Sequence, residues 1–160
     1  MAGRLTSTRF AEAVDDCGSE LVRSELVQAQ EGEPARYAWS GCDGRFTATM
    51  QVVSRVAIVT LSGPVHPAAL PVCRSALEAA LRTETARLIL DLEQARVDEL
   101  SLPLLTLMDR AVARRGVTLW LTGLTVRTRA LLAPTNLAAP NRVFPSVSVA
   151  LHEGTPHRVS

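Results

Sequence analysis

After Phe46 the apolar residues switch repeatedly between a period of two and a period of nearly four, and this alternation restricts the fold more than any other feature of the chain. Phe46, Ala48, Met50 and Val52 alternate with Thr47, Thr49 and Gln51, the pattern of a strand with one buried face. Ser54-Arg55 offers a tight turn into Val56–Leu61, a mostly apolar run that suits a strand covered on both faces and is broken by Gly63-Pro64. Leu70, Cys73, Leu77 and Leu81 then form one helical stripe between Pro67 and Arg82, with prolines confined to the first turn, where a missing N–H does least harm. The same style continues with Leu88–Leu92 as strand, Leu102–Arg115 as helix with Gly116 past its end, and Val117–Thr122 as strand. Thr125 can cap a helix through Leu132, and Val143-Phe144 with Val147–Leu151 reads as the last extended segment. Strands alternating with helices predict an α/β layer fold, a sheet with helices packed on it.

The pattern before Phe46 differs. Phe10, Val14, Cys17 and Leu21 recur at helical spacing, which predicts a helix over Thr8–Gln30. Gly18 inside that run costs about 1 kcal/mol relative to Ala, so two shorter helices are the alternative. Residues 31–45 hold Gly32, Pro34, Gly41 and Gly44 and read as a linker or irregular loop in which Tyr37 and Trp39 cover the core edge. The expected organisation is an N-terminal helical extension and linker over 1–45, an α/β domain over 46–151 and a flexible tail over 152–160.

Composition removes several function classes. Seventeen basic against sixteen acidic residues leave no overall field for nucleic acid or an anionic membrane, and Arg110, Arg114 and Arg115 read as a solvated helix face. Neither glycine-rich phosphate motif occurs, and the Walker form cannot occur in a chain without Lys. His152-Glu153 and His157 miss the spacing of a zinc-binding helix, and Gly154 and Pro156 break the helix that spacing needs. Cys17, Cys42 and Cys73 are odd in number and far apart, which suits reduced thiols rather than a disulfide framework. The start lacks an apolar leader and no stretch reaches the ~18 apolar residues of a membrane span, so a cytoplasmic location is expected. No catalytic constellation, metal site or cofactor site is expected.

Residues 56–151 resemble a STAS domain, the fold of bacterial anti-sigma-factor antagonists. Val56–Gly63 resembles the family's second strand ending in L-x-G, and Arg87–Leu92 its R-L-V-L-D-L strand. Ala113–Leu119 resembles the helix end and following strand, Val126–Leu137 the V-R-x-x-L-L-x-x-T-G-L segment with Asn136 for Gly, and Val143–Leu151 the closing segment. The resemblance implies a mixed sheet with helices, no catalysed reaction, and a protein-binding function. Its implied partner is an anti-sigma factor of the histidine-kinase-like ATPase type, and it leaves a homodimer open. A STAS-type sensor of a small molecule or nucleotide is the alternative. The family's phosphorylated D-S-S-G falls here on Glu99, Leu100, Ser101 and Leu102. Ser101 is therefore the implied phosphorylation site, beside the carboxylates of Asp98 and Glu99. His66 stands where the family usually has Asp. Leu100 and Leu102 make the implied binding face, with His66, Asp98 and Glu99, more apolar than usual, which suits a divergent or phosphorylation-independent antagonist.

Overall fold

A computed structural model describes residues 9–14, 21–28, 36–41 and 45–154. Eight strands lie in them: β1 (Arg9–Val14), β2 (Leu21–Gln28), β3 (Arg36–Ser40), β4 (Thr47–Val53), β5 (Val56–Pro64), β6 (Arg87–Arg96), β7 (Thr118–Thr122) and β8 (Val143–Phe144). The helices are α1 (Leu70–Arg82), α2 (Leu102–Arg114), α3 (Val126–Leu132) and α4 (Val147–Gly154). The strands form one sheet in chain order, antiparallel from β1 to β5 and parallel from β5 to β8.

The alternation after Phe46 does what its period demands. Ala48, Met50 and Val52 pair with Leu61, Val59 and Ala57 on one face, while Thr47, Thr49 and Gln51 look the other way. The turn between the two strands places Ser54 and Arg55 at φ 49° and 65°. Neither residue is Gly, so each costs roughly 1–2 kcal/mol in that region. Arg55 is held there by its carbonyl, which accepts from Ala86 N–H at 3.0 Å.

The front face of the sheet, with Leu88, Leu90, Leu119 and Leu121, packs under α1 and α2 to make the main core. Val56, Ile58 and Ile89 bury the back of β5 and β6 against Ala150 of α4. The continuous apolar run Val56–Val59 is thus covered on both sides, as its composition requires.

Three expectations are corrected. The helix expected over Thr8–Gln30 is absent from the described part of that range, where β1 and β2 are strands paired antiparallel. Gly18 together with Asp15, Asp16 and Ser19 makes a poor helix interior, and a strand can satisfy the open N–H and C=O groups along β3, which a helix cannot. Cys17 lies outside the described residues. Within the supposed linker, Arg36–Ser40 is a strand of the same sheet, and Trp39 is buried in the main core with Tyr37 packed beside it. Finally, Val147–Leu151 is helical rather than extended, and α4 runs on through His152 and Glu153, past the expected start of the flexible tail at residue 152. Ser146 starts it: its Oγ accepts from Val149 N–H at 3.3 Å and its carbonyl from Ala150 N–H at 3.0 Å.

Because Trp39 is only 6% exposed, Trp39→Ala is expected to destabilise the protein by about 3–5 kcal/mol, read from urea unfolding. A loss below about 0.5 kcal/mol, the range of an exposed substitution, would place Trp39 outside the core.

Candidate partner-binding site

The candidate residues gather where the parallel strands β5 and β6 end side by side. Gly63 pairs with Ala95 and Pro64 with Arg96, and Val65 N–H donates to the Arg96 carbonyl at 2.9 Å. Gly63 has φ +96°, and a Cβ there would lie 2.1 Å from the carbonyl oxygen of Arg45. Only glycine lets β5 pass so close to the start of β4. On the next strand over, Gly123 follows β7 at φ +71°, where a Cβ would meet Glu93 N at 2.6 Å.

His66 follows β5 in extended conformation and precedes a 3-10 turn, Pro67–Ala69, that leads into α1. After β6 the chain makes a second 3-10 turn, Glu99–Ser101, which leads into α2. Asp98 caps that turn: its Oδ1 accepts from Leu100 N–H at 2.9 Å, and Asp98 N–H donates to Ser101 Oγ at 3.0 Å. The reciprocal pair is a capping box with serine in the third position. Ser101 also donates its hydroxyl to the Val65 carbonyl, which ties the α2 start to the end of β5. The side chains of His66 and Asp98 come within 4.0 Å, Nδ1 to Oδ2, at the surface above this tie.

Of the expected site residues, His66, Asp98, Glu99 and Leu100 therefore share one rim. Glu99 is exposed, and Leu100 is 59% exposed, large for an apolar side chain that caps nothing. Ser101 and Leu102 are placed differently from the expectation of an open surface. Ser101 is completely buried with its hydroxyl committed to Val65 and Asp98. Leu102 is half-buried and packs on the main core, one turn before the buried Leu105.

Arg142 is a positioning residue that the sequence did not signal. Its guanidinium pairs with Asp109 on α2 and donates to the carbonyls of Leu119 at 3.0 Å and Asn136 at 3.2 Å, so one side chain ties α2 to β7 and to the turn after α3. No periodicity marks such a contact, because its partners lie far apart in the chain. Cys73 faces inward from α1, and burial pushes its thiol up to about 12. It stays a neutral thiol across the physiological range.

Residues 47–150 match the STAS domain family model, and the chain belongs to that family. An anti-sigma factor antagonist from Mycobacterium paratuberculosis is similar in structure, with a TM-score of 0.57 at 19% identity over 71% of this chain and 97% of that one. An RsbS variant from Moorella thermoacetica is similar with a TM-score of 0.56 at 16% identity, over 65% of this chain and 91% of that one. Similarity extends to the murine solute carrier 26 family member A9 anion transporter, with a TM-score of 0.56 at 21% identity, over 64% of this chain and 18% of the transporter. No curated protein sequence matches the chain. Among the described residues no helix is long and apolar enough to cross a membrane.

Two outcomes follow from the geometry. Ser101→Ala leaves the buried Val65 carbonyl without its donor, and a loss of about 1–3 kcal/mol in urea unfolding is expected; unchanged stability would mean that the hydroxyl ties nothing. Cys73 should resist iodoacetamide in the folded protein at pH 8 and react once denaturant is added, as read by peptide mass. Equal labelling in both states would place the thiol at the surface.

Proposed function

We propose that this protein is an anti-sigma-factor antagonist-like regulator that works by binding rather than catalysis and without phosphorylation. Its partner is an anti-sigma factor of the histidine-kinase-like ATPase type, taken on the rim of His66, Asp98, Glu99 and Leu100. The observation that carries this reading is the contrast between two adjacent residues. The hydroxyl that the family would phosphorylate is sealed inside the protein, while its neighbour Leu100 stands in solvent. A kinase would have to pull Ser101 out of its hydrogen bonds to Val65 and Asp98 to reach it. Leu100 needs no rearrangement to enter an apolar pocket, and fully burying an exposed leucine side chain there is worth about 1.5–3 kcal/mol. The carboxylates of Asp98 and Glu99 ring the anchor and would select a partner surface carrying basic groups.

Titration calorimetry of the purified protein with the host's ATPase-type anti-sigma factor tests this directly. Leu100→Asp is expected to weaken binding at least about tenfold while the thermal midpoint holds, since the side chain is exposed. Native affinity in that variant would remove Leu100 from the interface. Incubation with the partner and Mg-ATP should leave Ser101 unmodified by mass spectrometry; a phosphoserine there would overturn the phosphorylation-independent mode. A nucleotide or metabolite that raises the thermal midpoint in the absence of any protein partner would favour the sensor reading instead.

A further inference from the structure

The stripe of Leu70, Cys73, Leu77 and Leu81 faces a groove between α1 and α2 as well as the core. The residues of α1 that fill the core are Val72, Cys73, Ala76, Leu77 and Ala80, whereas Leu70 and Leu81 stay half-buried at its flank. Across from them α2 presents Leu107, 51% exposed, with Met108 and Ala111. Together these side chains floor an open groove of about 420 Å³. Its rim carries Arg74 from α1 and Arg110, Arg114 and Arg115 from the end of α2, against a single carboxylate, Glu78. None of these four guanidiniums joins an ion pair among the described residues.

We propose that this groove is a second binding surface, separate from the Leu100 rim, and that it takes an acidic amphipathic helix of a protein partner. The lining runs over Leu70–Leu81 on α1 and Leu107–Arg115 at the end of α2, about 12 Å along the shorter side and so two to three turns of a third helix. An apolar floor between two helices accepts leucines spaced i, i+3, i+4 and i+7, the helix-in-groove mode of recognition. The rim decides the sign of the occupant's charge. Four arginines against one glutamate repel a basic helix and attract one whose flanks carry Glu or Asp, and guanidiniums pair with carboxylates through two parallel N–H donors. The floor argues against nucleic acid, because Leu70, Leu77, Leu81 and Leu107 offer a phosphate backbone nothing and no aromatic ring lines the groove for a base to stack on.

The test uses the full-length protein and a fluorescent helical peptide of about 14 residues, with leucines at i, i+3, i+4 and i+7 and glutamates on both flanks. Titration should shift the backbone amide resonances of Leu70–Leu81 and Leu107–Arg115 and leave those of β4 unmoved. Arg110→Glu with Arg114→Glu should weaken binding at least about tenfold, and raised salt should weaken it in the native protein. Both arginines are exposed, and circular dichroism checks that the variant folds. The same peptide with lysine for glutamate should not bind. Equal affinity for acidic and basic peptides, no binding of the acidic peptide, or resonance shifts outside the groove would overturn the proposal. So would duplex DNA binding that the arginine changes abolish, or a dimer in sedimentation that Leu107→Asp dissolves.

Discussion

Parallel pairing of β5 with β6 governs the rest of the molecule. Two strands that run the same way end at the same rim, and the chain must leave each of them by a turn that climbs onto the front face. The turn at Pro67–Ala69 starts α1 and the turn at Glu99–Ser101 starts α2, so both helices enter the core layer from one edge. The hydroxyl of Ser101 crosses between these two exits and binds the backbone of the first from the beginning of the second. Close spacing at that edge also explains Gly63, whose missing side chain lets β5 pass under Arg45.

The same tie gives the rim its chemical character. A serine at the start of a helix can receive phosphate well when its side chain is free, since N–H groups and the helix dipole face it. Here the capping is done one turn earlier by Asp98, and Ser101 serves as the reciprocal member of the box. The polar group has been spent on holding the fold. What remains outward is the side chain of Leu100, with the carboxylates of Asp98 and Glu99 beside it in the chain and His66 within 4.0 Å of Asp98.

Much of this was legible because local period and burial agree. β4, β5, α1, α2 and β7 lie where alternation, apolar runs, proline placement and Gly116 put them. The misreadings share a cause. Phe10, Val14, Cys17 and Leu21 have helical spacing, but the stability of β1 and β2 as strands depends on β3, a partner that no local window contains. The two-strand pairing of β8 with β7 similarly left Val147–Leu151 free to cover the back of the sheet as a helix. At the site the resemblance located His66, Asp98, Glu99 and Leu100 together. It could not distinguish Leu100 from Leu102, because a single 3-10 turn determines which of the two faces solvent. The α1 stripe was recognised as apolar, yet its division between core and groove depends on where α2 lies.

The strands occupy the sheet in the order in which they are made. A chain leaving the ribosome therefore never has to insert a strand between two that are already paired, and each newly emerged strand finds a free edge waiting. The antiparallel half needs only short reversals to assemble, whereas each parallel addition must await an intervening helix. Growth by accretion from one edge lets synthesis and folding proceed in step, with the front of the sheet remaining exposed only until α1 and then α2 arrive to cover it.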